Sequence, residues 1–262
     1  MQSPSWKLLP PRWNKAYRQA QDNLDILLEF GKEQVENAKQ RMKSKKSDNL
    51  DEMSVLQKMV KRNGQQSTYP LVMAIDLIFA GIDTTGNTLG FLMYNLATNP
   101  EKQEKLRKEC QSLDKNLTVK DLNQLRYLKA CIQETNRLTP TIAMNGRVIA
   151  EDMTLHGYHI PKGSMVMWNY FMNSETFPDH DKFIPERWIE NKEEICPHAA
   201  RQFSHGPRMC IGKRFAELEF LLVMHKMMNN FRLEWVNPEP MTQSQVMVNV
   251  PDQSLDFKFN DI

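Results

Sequence analysis

No stretch of this sequence stays apolar for the ~20 residues that a membrane-spanning helix needs. The most apolar run, Leu71 to Ile82, is shorter than that and is interrupted by Asp76. The N-terminus lacks a charged segment followed by an apolar core, so neither a signal peptide nor a membrane anchor is expected. Cysteine is scarce as well. Cys110, Cys131, Cys196 and Cys210 include no C-x-x-C pair and are too few to staple a chain of 262 residues, which excludes a disulfide scaffold and suits a reducing compartment. Charge of one sign is missing: 34 basic and 32 acidic residues leave a net charge of +2, and bulk electrostatics give no reason to expect nucleic acid as a partner. There is no internal repeat and no low-complexity tract.

What is present is a globular composition, 40% hydrophobic, enough for one large domain or two small ones. Met1 to Trp13 is an irregular lead-in. From about Lys15 apolar residues recur at spacings of three and four (Leu24, Leu27, Leu28, Gly31, Val35, Ala38), the mark of an amphipathic helix. Its end, Lys39 to Lys46, is basic and reads as a solvated helix terminus, with a membrane surface as the other use of such a segment. A short helix follows over Met53 to Val60, then a polar linker, Arg62 to Thr68. Tyr69-Pro70 opens a long helix, about 70–98, that Asn99-Pro100 closes. It is apolar on nearly every face over its first part, so burial is expected. An exposed amphipathic helix is expected over Glu101 to Leu113. Thr118 with Asp121 forms a helix-start box leading into a segment that runs to Leu138, with the helix itself at about 122–138. A small sheet, about 147–170, has strands at Met153 to Leu155, Tyr158 to Ile160 and Ser164 to Tyr170, punctuated by His156-Gly157 and Pro161-Lys162-Gly163. A proline-containing meander occupies about 177–202, and short strands lie near Gln245 to Val250 and Leu255 to Phe259.

The stretch Phe203-Ser204-His205-Gly206-Pro207-Arg208-Met209-Cys210-Ile211-Gly212 is a tight loop that turns into a helix, Lys213 to about Phe231, apolar through Phe215, Leu218, Leu221, Leu222 and Met228. Cys210 thus sits at a helix N-terminus, where unpaired N–H groups and the helix dipole favour a metal-ligating thiolate. Gly206 and Gly212 permit backbone conformations closed to other residues, and Arg208 offers a cationic fork for a carboxylate. A zinc set of Cys196, His198, His205 and Cys210 departs from the paired spacings of structural zinc sites.

The pattern F-x-x-G-x-R-x-C-x-G resembles the haem-binding signature of the cytochrome P450 family at every defined position. The resemblance implies that Cys210 is the axial thiolate on haem iron, that Phe203 packs near the sulfur, and that Arg208 and Arg147 pair with the haem propionates. Ala80-Gly81-Ile82-Asp83-Thr84-Thr85 resembles the family's oxygen-activation segment. There Ala80 and Gly81 keep side chains off the haem face, Thr84 donates a hydrogen bond to dioxygen or an adjacent water, and Asp83 relays protons. Glu134 and Arg137 match the E-x-x-R element, and Pro185-Glu186-Arg187-Trp188 supplies its partner, giving a structural network of Glu134, Arg137 and Arg187.

These motifs span residues 80 to 212 and imply the C-terminal half of the cytochrome P450 fold, mainly α with a smaller β region. By resemblance the chain is a haem-thiolate monooxygenase segment that inserts one atom of dioxygen into an apolar organic substrate, with Ile78, Phe79, Ile82, Ile142, Ala143 and Met144 near it. The alternatives are a truncated haem-binding protein without turnover and a zinc-stabilised interaction module. Trp188 in the P-E-R-W segment, together with Gly212-Lys213-Arg214-Phe215-Ala216-Glu217-Leu218-Glu219, looks like the mitochondrial, arthropod-type branch. That branch implies the matrix face of the mitochondrial inner membrane and an acidic ferredoxin docking on Lys129, Lys213 and Arg214. The other setting is the endoplasmic reticulum membrane with an NADPH-cytochrome reductase. Gln133 stands where mitochondrial relatives usually place a second lysine.

Overall fold

The first helix, α1 (Lys15–Ser44), runs the full length of the amphipathic pattern and ends with Arg41 and Lys43 in its last turn, where cations complement the exposed carbonyls. Val35 and Ala38 are buried. A side chain at Gly31 would meet Leu71 at 2.8 Å and Ile75 at 2.9 Å, so glycine there lets α1 approach the start of α3 (Tyr69–Ala97). Between them, α2 (Val55–Asn63) opens on a capping box in which Ser54 and Gln57 satisfy each other's backbone N–H groups, and ends on Gly64 at φ +83°. The computed structural model describes residues 15–44, 49–64, 66–113, 117–171, 176–190, 195, 202–245 and 247–262. It divides into two compact units, residues 1–80 and 81–262, with the boundary inside α3.

The second unit has a helical core. The buried side chains of Leu92 and Leu96 on α3, Leu106 on α4 (Pro100–Gln111), Leu128 and Cys131 on α6 (Arg126–Leu138), and Phe220, Met224 and Met228 on α8 (Lys213–Asn230) form one apolar cluster. Two further helices are single turns: α5 (Val119–Leu122) and α7 (Arg187–Glu190). Four two-stranded antiparallel sheets complete the described residues. They pair β1 (Met144–Val148) with β4 (Met165–Asn169), β2 (Met153–Leu155) with β3 (Tyr158–Ile160), β5 (Phe231–Trp235) with β8 (Phe257–Asp261), and β6 (Gln243–Gln245) with β7 (Asn249–Pro251). The β2–β3 hairpin turns through His156 and Gly157, both at positive φ, the requirement of a two-residue turn that matches strand twist.

Several expectations need correction. The segment from Thr118 to Leu138 is not one helix: Thr118 and Asp121 cap the single turn α5, and α6 starts afresh at Arg126. Its first N–H groups are taken by a side chain from another helix, since the Glu109 carboxylate accepts from Tyr127 N at 2.7 Å and Leu128 N at 2.9 Å. The α4 helix is less exposed than its charge suggests, because Gln103 and Arg107 are buried. Gln103 bridges Leu96 O and Leu233 O, and Arg107 caps the end of α8 through Met228 O and Phe231 O. The apolar first part of α3 is not enclosed: Phe79 is 55% and Ile82 65% exposed, and full burial begins near Thr88. Hydropathy requires that such a face be covered; it does not specify by what. On α8 the buried stripe is Phe220, Leu221, Met224 and Met228, while Phe215 and Leu222 face solvent. The strand β5 begins where α8 ends and had no signal of its own.

Candidate functional site

The loop from Phe203 to Gly212 is closed by its own backbone. Cys210 N donates to Phe203 O at 2.9 Å and Met209 N to Gly206 O at 3.0 Å, with one 3-10 turn over Gly206–Arg208. Two residues take left-handed conformations to make that reversal, Ser204 at φ +61° and Gly206 at φ +76°. Gly206 is therefore needed for its backbone freedom. Gly212 is not: it caps α8 at φ −80°, a conformation open to any residue, and a Cβ there would lie 3.8 Å from Cys210 Sγ. The loop leaves Cys210 exposed just ahead of that cap. Met209, Ile211 and Phe215 around it in sequence are also exposed, Ile211 to 72%. Phe203 is half-buried against the core, with the Lys213 ammonium 5.9 Å from its ring centre.

A buried carboxylate on α6 gathers distant chain. Glu134 is fully buried, as is nearly all of the Arg137 side chain. Arg137 donates to Glu134 through Nε at 3.0 Å and Nη2 at 2.8 Å, and Arg187 through Nε at 3.1 Å. Ile184 N at 2.9 Å and Trp188 Nε1 at 2.8 Å complete the set. The guanidinium groups also bond carbonyls of the meander: Arg137 reaches His180 O through Nη1 and Lys182 O through Nη2, and Arg187 reaches Pro178 O and Asp179 O. The Phe177 ring packs beside both guanidinium groups, at 5.4 and 5.8 Å. Two cations on one anion are tolerable here because every guanidinium nitrogen finds an acceptor. Trp188 and Phe203 line the same cleft, of about 980 Å³, whose lining includes Arg126, Lys129 and Lys213.

A second anion, Glu186, was not legible from sequence beyond its place in the P-E-R-W run. It accepts from Lys102 at 3.1 Å, Lys105 at 2.9 Å and the Tyr127 hydroxyl at 2.9 Å. Partial burial pushes its pKa up, but hydrogen bonds from Lys105, its own backbone, Tyr127 and Lys102 outweigh this and hold it at about 2. The same surroundings, burial first, push the Tyr127 hydroxyl upward.

In the α3 segment, Ala80, Gly81 and Asp83 are exposed and Thr84 is half-buried. A Cβ at Gly81 would meet nothing within 4 Å, so the helix surface beside it is open. Two carbonyls of this turn take side-chain hydrogen bonds from one turn on: Asn87 Nδ2 donates to Asp83 O and Thr88 Oγ1 to Thr84 O, each at 2.8 Å. Arg147, on β1, is held by Asn145 Oδ1 and Gly146 O and stacks near Trp168. Arg208 is exposed on the loop.

Among the described residues no three His, Cys, Asp or Glu side chains are grouped to hold a bare metal ion. Cys196 and His198 lie outside the described residues. The exposed Cys210 sulfur, the exposed apolar surface of Met209 and Ile211 and the exposed Arg208 guanidinium of the same loop fit the haem that the resemblance implies.

Comparison with known proteins gives the same direction. The family model for cytochrome P450 matches residues 1–259. The chain is 35% identical over 283 residues to "Cytochrome P450 CYP12A2" of Musca domestica, covering 98% of this chain and 51% of that protein. It is 32% identical over 271 residues to "Probable cytochrome P450 12a5, mitochondrial" of Drosophila melanogaster, covering 96% and 50%. It is 36% identical over 190 residues to "1,25-dihydroxyvitamin D(3) 24-hydroxylase, mitochondrial" of Mus musculus, covering 70% and 37%. The chain spans about half the length of the first two of these relatives.

Proposed function

The chain belongs to the cytochrome P450 family, and from that premise we propose that it carries the thiolate and proton-handling half of a monooxygenase acting on an apolar organic substrate. One observation bears most of the weight: an exposed cysteine on a backbone-closed loop whose Phe203 shares a cleft with Trp188 of the buried Glu134 network. Haem, when bound, would supply the activation of dioxygen, one atom going to the substrate and the other to water.

The chain's own residues would divide the remaining work. Cys210 would hold the iron, and the Phe203 carbonyl, by accepting the Cys210 N–H, fixes the backbone that carries the sulfur. Arg208 and Arg147 would bind the propionates, each a planar fork suited to a carboxylate. The open surface at Gly81 leaves room for a flat group beside α3. Thr84 and Asp83 would move protons: a hydroxyl can donate one hydrogen bond while accepting another, and an exposed carboxylate can refill it from solvent. Ile82, Ile142, Ala143 and Met144 would present apolar surface to the substrate and exclude water, which suppresses loss of reduced oxygen as peroxide.

The electron donor on this reading is a small acidic ferredoxin. Arg126, Lys129 and Lys213 in the cleft lining support it, although Glu217 of the same lining pairs with Lys213 at 3.8 Å, and a net basic cleft raises the encounter rate with an acidic partner at low salt. An NADPH-cytochrome reductase is the other donor class. The relatives named as mitochondrial support the first donor and a mitochondrial setting for the working protein. The test is turnover of the haem-loaded protein with reductase and ferredoxin. Product formation that requires ferredoxin, and a Thr84→Ala variant that keeps haem but releases peroxide, support the reading. Fully coupled turnover in Thr84→Ala contradicts it.

A further inference from the structure

Two buried hydroxyls tie the proton-handling turn of α3 to a different part of the chain. Thr88 Oγ1 lies 2.8 Å from Thr84 O and 2.7 Å from Thr141 Oγ1, and both threonines are almost wholly buried. A hydroxyl has a single hydrogen. Carbonyl oxygen accepts only, so the Thr88 hydrogen goes to Thr84 O and Thr141 must donate to Thr88. The chain of donation runs Thr141 to Thr88 to the Thr84 carbonyl. Thr141 is itself anchored, since its carbonyl accepts Asn249 N at 2.8 Å and Asn249 Nδ2 reaches Gln243 Oε1 across the β6–β7 pair.

We propose that Thr88 and Thr141 are positioning residues that fix the turn presenting Thr84, so that proton delivery depends on a buried hydroxyl bridge between α3 and the segment before β1. This deepens the monooxygenase reading and rests on it. A threonine bonded back to the carbonyl one turn earlier gives that carbonyl a second donor and often bends the helix. Here that carbonyl belongs to Thr84, and the Thr88 hydroxyl is fastened on its other side to Thr141, the residue before Ile142 and Ala143. Removing the Thr88 hydroxyl leaves the Thr141 hydrogen without its acceptor, whereas replacing both threonines by valine removes donor and acceptor together and is nearly neutral for folding.

The test compares Thr88→Val, Thr141→Val, the double Thr88→Val/Thr141→Val variant and Thr88→Ser in the haem-loaded protein. Two quantities are read: hydrogen–deuterium exchange of peptides covering residues 81–90, and peroxide released per dioxygen consumed. Thr88→Val should raise exchange about fivefold, the effect of losing one ordinary hydrogen bond, and should raise peroxide release. Thr88→Ser should restore both. The double variant should regain the thermal stability lost in Thr88→Val yet stay fast-exchanging and leaky. A double variant that recovers coupling with its stability overturns the inference, as does unchanged exchange in Thr88→Val. A leaking Thr84→Ala beside a coupled Thr88→Val overturns this inference alone; a coupled Thr84→Ala overturns the proton reading and this inference together.

Discussion

Replacing Glu134 by alanine removes the one anion that holds Arg137, Arg187, Trp188 and Ile184 in a single cluster. Five donors lie between 2.8 and 3.1 Å from its two oxygens, and neither arginine can shed its charge. Both guanidinium groups keep their bonds to the meander carbonyls, so some satisfaction survives, but two buried positive charges lose their counter-ion. Breaking a buried pair by removing one partner costs roughly 3–5 kcal/mol. Against a typical total of about 5–15 kcal/mol, that is a large share of the folding stability. Glu134→Gln is the informative partner experiment: it keeps the shape, but turns an acceptor into an NH2 donor that faces other donors, so it should rescue less than half of the loss. Urea unfolding followed by circular dichroism, extrapolated to water, measures both. A Glu134→Ala loss below about 1 kcal/mol, the range of an exposed pair, would refute the claim that this cluster is a desolvated network holding the meander.

Other consequences follow from the same geometry. Glu186, held at about 2 against an ordinary 4.5, has a depressed pKa, so its stabilising contribution is complete above pH 4.5 and fades as pH falls toward 2. In Glu186→Gln that component of the acid-unfolding curve should vanish, and an unchanged curve would count against the Lys102, Lys105 and Tyr127 contacts. Burial, followed by the nearby Glu109, pushes the Cys110 thiol up to about 12, leaving about one thiolate in ten thousand at pH 8. In haem-free protein, peptide-mapped alkylation at that pH should label exposed Cys210 and spare Cys110 and Cys131; fast labelling of Cys110 would contradict its burial. Gly206→Ala forces a side chain into a left-handed conformation, costing about 1–2 kcal/mol, and should weaken haem retention more than Gly212→Ala does. Equal retention in the two variants would contradict the separate roles assigned to these glycines.

How much of this was written in the sequence depends on the range of the interaction. Short-range signals were readable: the Thr118–Asp121 box, the His156-Gly157 turn and the Asn99-Pro100 break are each decided by backbone conformation within a few residues. The i, i+3 spacing of Glu134 and Arg137 put them on one face, and the resemblance added Arg187. Longer-range choices were not readable. Nothing near Leu125 says that α6 will be capped by Glu109 from another helix, or that Gln103 and Arg107 will serve as buried brackets for carbonyls more than a hundred residues away. Periodicity also misassigned the stripe on α8, because Phe215 and Leu222 are as apolar as Phe220 and Met224, and only the packed neighbours decide which of them is enclosed. Thr88 and Thr141 carried no signal at all, since a threonine in a helix or before a strand is unremarkable until its hydroxyl is seen to have one hydrogen and two claimants.

The account turns on the sulfur of Cys210, and the spectrum of the reduced, carbon-monoxide-treated protein reads it directly. The red-shifted band of a thiolate-bound haem should appear in the parent protein and disappear in Cys210→Ala. A band that persists unchanged in that variant, or a well-folded protein that takes up no haem, would contradict the central assignment.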